Sequence, residues 1–295
     1  RNLNFTIKNL KKWMKPSRRA SSFMADMLGS KAVLQPSPLG SVGIIAPWNF
    51  PIGMIFYPTA SILAAGNRIM AKPSEFTPNT ANLIKEAVGK YFDESEFAVF
   101  LGGPEVGSEF TALPLDHLLY TGSGNIAKKV VANAAKNLVP TTLELGGKSP
   151  TIIASDANLE LVAKRIMFVK TLNAGQICLS PDYIMIKKGS EQKLIEELKK
   201  VFNTFYPENN AADYTSMVND HHHDRMQEYL LDAKNKGADV VNLGDFDSSE
   251  KNTITTKVLL NVNDNMRVMQ EEIFGPLLPI MVYEDLSEAV SYVNN

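Results

Sequence analysis

The sequence predicts an α/β protein, with one domain built on a mainly parallel sheet and a second α/β domain after it. Three observations favour this fold class. Short apolar runs alternate with helical stretches over residues 42–145, a glycine-rich turn separates a strand from a helix at residues 122–127, and adjacent glycines at 146–147 offer a hinge. Such alternation is typical of βαβ units, whose parallel sheets carry helices on both faces.

The first half of the chain supplies five candidate strands and the helices between them. Strands are predicted at residues 42–46, 68–71, 97–101, 118–120 and 141–145. Helices are predicted at residues 54–65, 77–91, 104–112 and 123–137. Thr77 followed by Pro78 is typical of a helix start, because threonine is a favoured cap and proline is tolerated at the first helical position.

The second half follows a similar pattern after the two glycines. Strands are predicted at residues 152–154, 183–186, 253–260 and 280–283, with another near Val240. Helices are predicted at residues 159–172, 191–205, 225–236 and 286–293. Residues 1–14 are predicted to form a polar helix, and residues 20–38 an arm or edge element. Because helical patterns run up to both ends and no signal peptide opens the chain, we expect an internal piece of a longer protein.

Composition excludes several classes of protein. The 295 residues are 44% hydrophobic and carry a net charge of −2, so the chain can bury a core but offers no basic field for nucleic acid or anionic membranes. No apolar run approaches the ~18 residues of a membrane span. Cys178 is the only cysteine, which excludes an internal disulfide and a thiolate metal site. We therefore expect a cytoplasmic enzyme or binding protein.

The segment TGSGNIA at residues 121–127 has the G-x-G-x-x-A spacing of a dinucleotide-binding turn. Glycines at 122 and 124 would let the backbone approach a pyrophosphate, which N–H groups at the next helix N-terminus would bind. An ordinary glycine-rich turn is the alternative. Glu144 lies about 20 residues farther on, where an acid commonly binds the ribose of a dinucleotide.

A second candidate for the ribose is KPSE at residues 72–75, which follows a predicted strand. Lys72 can donate to ribose hydroxyls and Glu75 can accept from them, and a carboxylate there favours a free 2′-hydroxyl over a 2′-phosphate. The alternative is a solvated charged loop.

Two further segments carry residues suited to covalent chemistry. Cys178 ends NAGQIC in a glycine-containing loop after a helix, and a thiolate is a strong nucleophile. A buried, inert thiol is the alternative. In ELGGK, apolar neighbours Leu143 and Leu145 are expected to desolvate Glu144 in part, which would suit a general base; an ordinary surface glutamate is the alternative.

Three consecutive histidines, at residues 221–223, raise the question of a metal site. Adjacent side chains point in different directions, and the sequence places no set of carboxylates at ligand spacing near them. We expect a solvated helix start here and no bound metal.

The motifs together identify a family. Six blocks stand in the order PWNFP (47–51), KPSE (72–75), TGS (121–123), ELGGK (144–148), GQIC (175–178) and EEIFGP (271–276). This set resembles the aldehyde dehydrogenase superfamily, and residues 115–119, 138–140 and 180–183 are most similar to its coniferyl aldehyde dehydrogenase branch. The resemblance implies a Rossmann-type NAD(P)-binding domain at residues 1–146 and a catalytic domain at residues 147–295, truncated at both ends of the chain.

The resemblance also implies a role for each matching residue. Cys178 is the expected nucleophile, and Glu144 is the expected general base, which overrules its role at the ribose. Asn49 is expected to donate to the oxyanion together with the Cys178 N–H. The residues expected to bind the cofactor are Trp48, Lys72, Glu75, Gly122, Ser123, Glu272 and Phe274. That cofactor is expected to be NAD, with NADP as the alternative.

The implied reaction is NAD(P)-dependent oxidation of an aldehyde to a carboxylic acid through a cysteine thioester. A relative that transfers the acyl group to CoA is an alternative, which Glu144 disfavours because only hydrolysis needs that base. A second alternative is a relative that has kept the fold but lost catalysis. The presence of Cys178, Glu144 and Asn49 disfavours this alternative. An aromatic aldehyde resembling coniferaldehyde is one candidate substrate. A homodimer or homotetramer is expected, since residues 20–38 resemble the family's oligomerisation arm.

Overall fold

The computed structural model describes residues 2–207, 213–244 and 251–295. The chain forms two compact units, Arg1–Leu145 and Gly146–Asn295. Each unit contains a five-stranded sheet, and the first also contains a two-stranded sheet. No helix in these described ranges is long and apolar enough to cross a membrane.

The first unit is built on a parallel sheet with strand order β5-β4-β3-β6-β7. Its strands are β1 (Ser17–Arg19), β2 (Ala32–Leu34), β3 (Ser41–Ile45), β4 (Arg68–Lys72), β5 (Phe97–Val99), β6 (His117–Gly122) and β7 (Thr141–Leu145). Its helices are α1 (Asn2–Trp13), α2 (Phe23–Met27), α3 (Pro51–Ala64), α4 (Pro78–Tyr91), α5 (Pro104–Thr111) and α6 (Gly124–Ala134).

The strand order of this sheet reverses beside β3. From β3 the chain runs outward through β4 to β5, then returns to the other side of β3 for β6 and β7. Open α/β sheets bind ligands beyond the carboxyl ends of their strands, at the point where the order reverses. Here that point lies between β3 and β6, whose paired residues end at Ile45 and Tyr120.

Apolar side chains pack this sheet into two clusters. Ile44 and Ile69 from neighbouring strands join Ile55 of α3 in one cluster. Leu118 of β6 and Val130 of α6 belong to the other. Burying each side chain of this size contributes about 1.5–3 kcal/mol, so packing against helices holds the strand ends in fixed register.

The second unit has a mixed sheet with strand order β10-β11-β12-β9-β8, in which β10 and β11 pair antiparallel and the other pairs are parallel. Its strands are β8 (Pro150–Ile153), β9 (Tyr183–Lys187), β10 (Asp239–Asn242), β11 (Lys257–Leu260) and β12 (Leu277–Tyr283). Its helices are α7 (Leu159–Thr171), α8 (Glu191–Phe205), α9 (Asp220–Asn235), α10 (Arg267–Gln270) and α11 (Leu286–Asn294).

Strand β9 shows how this second sheet is covered on both faces. Ile184 and Ile186 belong to one apolar cluster, whereas Tyr183 and Met185 belong to another. Successive side chains of a strand point to opposite faces, so this alternation places a core on each side of the sheet. The predicted α/β fold class is confirmed, with one antiparallel pair at the sheet edge.

Several predicted boundaries are wrong. The helix predicted at residues 123–137 ends as an α-helix at Ala134, and Ala135–Asn137 form a 3₁₀ turn that leads to Leu138 with φ of 54°. The helix predicted to begin at Arg225 begins at Asp220. The strand predicted at residues 253–260 comprises only β11, because just its last four residues pair with neighbours.

Two local interpretations also need correction. Thr77 occupies the cap position of α4, but its hydroxyl donates to Ser74 O at 3.5 Å and makes no capping bond to the helix. The arm or edge element predicted at residues 20–38 is only partly strand. It contains α2 and then β2, which pairs antiparallel with β1.

Candidate active site

The predicted site residues of the first unit lie at or just beyond the carboxyl edge of its parallel sheet. They end strands or follow them in the chain: Trp48, Asn49, Lys72, Glu75, Gly122, Ser123 and Glu144. Along β3, Ile45 pairs with Lys72 on one side and with Tyr120 on the other, so the three central strands end in register. The structure therefore gathers these residues where sheets of this type bind ligands.

Lys72 is a buried lysine with a carboxylate partner. Its side chain is only 5% exposed, and Nζ donates to Glu75 Oε2 at 3.1 Å and to Pro73 O at 3.2 Å. Lysine is almost never buried to this degree unless it is paired. Glu75 remains 35% exposed. The pair thus presents a donor and an acceptor side by side, which is the combination that a ribose diol can bind.

The glycine-rich turn joins β6 directly to α6. Ser123 caps the helix, since its Oγ accepts from Ile126 N at 3.4 Å, and Tyr120 donates from its hydroxyl to Ser123 O at 3.2 Å. Burial raises the pKa of Tyr120, which keeps this donor protonated. A Cβ at Gly122 would collide with the Tyr120 hydroxyl. Glycine at this position therefore lets the turn pass close to the tyrosine.

Glu144 and Asn49 occupy different environments. Asn49 is partly buried in the turn between β3 and α3, whereas Glu144 is exposed near the end of β7. The expectation that Leu143 and Leu145 desolvate Glu144 is wrong, because Leu145 is itself 41% exposed and does not cover the carboxylate. Glu144 pairs in register with Thr121 of β6, so it stands beside the glycine-rich turn.

Cys178 is exposed on a loop after α7, as the sequence predicted. The backbone before it is unusual, since Asn173, Ala174 and Gly175 have φ angles of 52°, 51° and 73°. Residues other than glycine rarely adopt this left-handed conformation, at a cost of about 1–2 kcal/mol each. A Cβ on Gly175 would also collide with Gly275 O. The thiol loop is therefore strained, and it passes directly against the Gly275 backbone.

We expect Gly175→Ala to lower the free energy of unfolding by about 2 kcal/mol or more, because the new Cβ meets both a positive φ and a backbone oxygen. Gly189→Ala is the matched control, since Gly189 has φ of 86° but open space around its Cβ position. Its expected loss is about 1 kcal/mol from strain alone. Urea denaturation measures both values, and equal losses would contradict the close approach.

Glu272 lies over the glycines of ELGGK. A Cβ on Gly146 would overlap the Glu272 carboxylate, which accepts a hydrogen bond from the Gly147 N–H. Burial and the nearby charge of Asp182 raise the pKa of Glu272. Phe274, two residues later, has φ of 47°. The two cofactor residues predicted in this unit therefore share one tight turn.

Lys148 and Asp182 hold this turn from one side, and neither residue was predicted to do so from the sequence. Lys148 Nζ forms an ion pair with Asp182 and donates to Glu271 O at 3.0 Å. Asp182 Oδ1 accepts from Ile273 N at 2.9 Å. Both residues lie within or just after motif blocks, which was the only signal that could have found them.

Arg225 holds the turn from helix α9. Its guanidinium donates to Glu272 O at 3.0 Å and to Ile273 O at 2.7 Å, so one side chain binds two consecutive carbonyls. The same guanidinium stacks over the Tyr229 ring at 5.2 Å. Arginine suits this pair of hydrogen bonds, because the donors of a guanidinium group lie in one plane and point in fixed directions.

The three histidines lie in the first turn of α9, ahead of the predicted helix start at Arg225. The expectation that they are solvated holds for His221, which is exposed, but not for His222 and His223, which are partly buried. Burial and the neighbouring Arg225 lower the pKa of His222 to about 4, so His222 is neutral near pH 7. Within the described ranges, no group of three or more His, Cys, Asp and Glu side chains is arranged to hold a metal ion.

The fold and the candidate site point to a dinucleotide-binding protein with an available thiol. A parallel sheet with a glycine-rich turn at its reversal point is typical of dinucleotide-binding domains, and the second unit carries an exposed thiol on a loop packed against Gly275, next to the turn of Glu272. The model of the family described as "Aldehyde dehydrogenase family" matches residues 2–295. The chain belongs to this family.

Curated proteins of similar sequence belong to the same family. The chain is 46% identical over 298 residues to a probable coniferyl aldehyde dehydrogenase of Caulobacter vibrioides, covering 99% of this chain and 61% of the relative. It is 46% identical over 289 residues to the coniferyl aldehyde dehydrogenase of a Pseudomonas species, covering 96% and 59%. The chain thus spans about three fifths of the length of these relatives.

Solved structures show the same fold. The substrate-bound state of Staphylococcus aureus AldH superimposes with a TM-score of 0.91 at 37% identity, covering 99% of this chain and 63% of that one. A Mycobacterium tuberculosis aldehyde dehydrogenase in complex with NAD⁺ superimposes with a TM-score of 0.89 at 28% identity, covering 100% and 61%.

Proposed function

We propose that the protein oxidises an aldehyde to a carboxylic acid with NAD or NADP as the hydride acceptor. The observation that carries this proposal is the exposed thiol of Cys178, on a loop packed against Gly275 and so next to the turn of Glu272 and Phe274. Membership of the aldehyde dehydrogenase family supports it. In this proposal the first unit binds the cofactor and the second supplies the nucleophile.

The residues present fit a nicotinamide dinucleotide. Lys72 and Glu75 offer a donor and an acceptor for the adenosine ribose, and the turn at Gly122 and Ser123 offers helix N–H groups for the pyrophosphate. Glu272 would bind the nicotinamide ribose, Phe274 would lie beside the ring, and Trp48 would line the groove. When bound, the cofactor supplies a carbon that accepts hydride from the substrate.

Cys178 would begin the reaction. An aldehyde releases hydride poorly until its carbon becomes tetrahedral, and addition of the Cys178 thiolate achieves this change. The side-chain amide of Asn49 and the Cys178 N–H would donate to the oxygen that becomes negative. Losing one such donor typically costs about 10²–10³-fold in rate. Departure of hydride leaves the acyl group on Cys178 as a thioester.

Glu144 would complete the reaction. Its carboxylate takes a proton from a water molecule, whose oxygen attacks the thioester and releases the carboxylate product and the thiol. Exposure of Glu144 is compatible with this role, because the base must reach water. An enzyme that transfers the acyl group to CoA would need no such base, so Glu144 favours hydrolysis over that alternative.

A coniferaldehyde-like aromatic aldehyde is the proposed substrate, since one similar curated relative is named coniferyl aldehyde dehydrogenase and another probable coniferyl aldehyde dehydrogenase. The test is a panel of aldehydes supplied with NAD and with NADP to the full-length protein, following the absorbance of the reduced cofactor. We expect aromatic aldehydes to give the highest kcat/KM. Absence of cofactor reduction with every aldehyde would refute the proposed function.

We expect Glu75→Gln to raise the Kd for NAD about tenfold and the Kd for NADP by less. A neutral amide accepts more weakly from the 2′-hydroxyl of NAD, and it repels a 2′-phosphate less than a carboxylate does. Titration of each cofactor into the protein measures both constants. Glu86→Gln, an exposed change on α4, is the control. Equal losses for the two cofactors would contradict the ribose assignment.

A further inference from the structure

Gln176, two residues before the thiol, is a buried amide that joins two distant segments. Only 1% of the residue is exposed. Its Nε2 donates to Asn173 O at 2.9 Å and to Ser216 O at 3.2 Å, and its Oε1 accepts from Val218 N at 3.0 Å. The side chain thus uses both of its N–H donors and its acceptor on backbone groups.

The thiol loop needs support from outside itself. It begins with three residues of positive φ, and such strain persists only where the surroundings over-determine the backbone. Lys170 Nζ donates to Pro181 O at 2.9 Å and so ties the two ends of the loop together. The bonds from Gln176 connect the loop to a segment 40 residues away.

That distant segment leads to the turn of Glu272. Residues 216–218 are followed by Asn219, whose side chain caps α9 by accepting from His222 N at 3.0 Å. In the second turn of α9, Arg225 donates to the carbonyls of Glu272 and Ile273. One rigid helix is therefore attached to the thiol loop at its start and to the Glu272 turn farther along.

We propose that Gln176 is a positioning residue, whose amide fixes the thiol loop against residues 216–218 and thereby sets Cys178 relative to the turn of Glu272 and Phe274. This inference rests on the proposed function, in which Cys178 attacks an aldehyde whose hydride leaves for a cofactor held by that turn. Misplacement of a reacting group by about 1 Å can cost about 10²-fold in rate. We expect the effect on kcat, because Gln176 is buried and its amide is already bonded to backbone groups.

Gln176→Met in the full-length protein tests the proposal, since methionine matches the length of glutamine and makes none of its three bonds. We expect kcat to fall about 10²-fold while the KM for NAD stays within about twofold. Alkylation of Cys178 by iodoacetamide is expected to stay within about threefold, because the thiol remains exposed. Gln227→Met, on the exposed side of α9, is the matched control and should leave all three values unchanged.

Gln176→Glu is a second variant, for which the proposal predicts a change in the pH dependence of kcat. It tests the positioning role even if the methionine variant does not fold. A carboxylate cannot donate to Asn173 O and Ser216 O, whereas the protonated acid can donate one bond. Burial raises the pKa of such a carboxyl, so we expect kcat relative to the wild type to recover as the pH falls. A purely structural role predicts no such recovery.

Two results would overturn the positioning role. One is a folded Gln176 variant with wild-type kcat, and the other is loss of thiol alkylation in step with kcat, which would indicate general damage to the loop. Failure of the proposed function is distinguishable from both, because the wild type and Gln227→Met would then reduce no cofactor with any aldehyde.

Discussion

Cys178→Ala is expected to lower the rate of aldehyde oxidation by about 10⁴-fold or more. Without a nucleophile the carbonyl carbon stays planar, and its hydride has no low-barrier route to an acceptor. The side chain is exposed, so its truncation should preserve folding. Steady-state assays of the full-length protein measure the loss, and titration with NAD checks that cofactor binding is retained.

Cys178→Ser sharpens this experiment. A serine hydroxyl keeps the size and polarity of the side chain, but it is a poor nucleophile unless a neighbouring base activates it. We therefore expect a loss nearly as large as that of the alanine variant. Turnover close to the wild-type value in either variant would refute Cys178 as the nucleophile, and with it the covalent route.

Glu144→Gln is expected to give one burst of reduced cofactor and then stall. The amide cannot take a proton from water, so the acyl group stays on Cys178 and steady-state turnover falls about 10²–10⁴-fold. Rapid-mixing absorbance measures the amplitude of the burst, which should approach one equivalent per active site. Mass spectrometry of the stalled protein should show the acyl adduct.

An added thiol distinguishes a lost base from a damaged site. A small thiol accepts the acyl group by thiol–thioester exchange, which needs no help from Glu144. Turnover of Glu144→Gln should therefore recover in proportion to the concentration of added thiol. An unchanged steady state without the thiol, or no burst at all, would contradict the assignment of Glu144 as the base.

The central strands of the first sheet could be predicted because parallel strands that are buried on both faces are mainly apolar. Runs such as β3 and β4 are short and bounded by turn residues. The start of α9 was not predicted, because Asp220 and the three histidines that follow it are polar and show no apolar periodicity. Tertiary packing of Met226 and Tyr229 makes that helix stable, and a local pattern does not reveal it.

The site could be predicted only where its residues stand in recognisable blocks. Those blocks contain Cys178, Lys72 and Glu272, but they did not reveal that Lys148, Asp182 and Arg225 hold the turn of Glu272. Lys148 binds partners 34 and 120 residues away in the chain, at Asp182 and Val268. Such contacts depend on how distant segments approach, which no local spacing encodes. The exposure of Glu144 likewise depends on side chains that could have covered it and do not.

The Glu272 carboxylate occupies the space that a side chain at position 146 would need, and Gly146 leaves that space open. A side chain at 146 would displace the Glu272 carboxylate from the position in which it accepts from the Gly147 N–H. The position of Glu272 therefore depends on a glycine at 146. We therefore expect Gly146 and Glu272 to covary among relatives, so that both residues are retained or both are replaced.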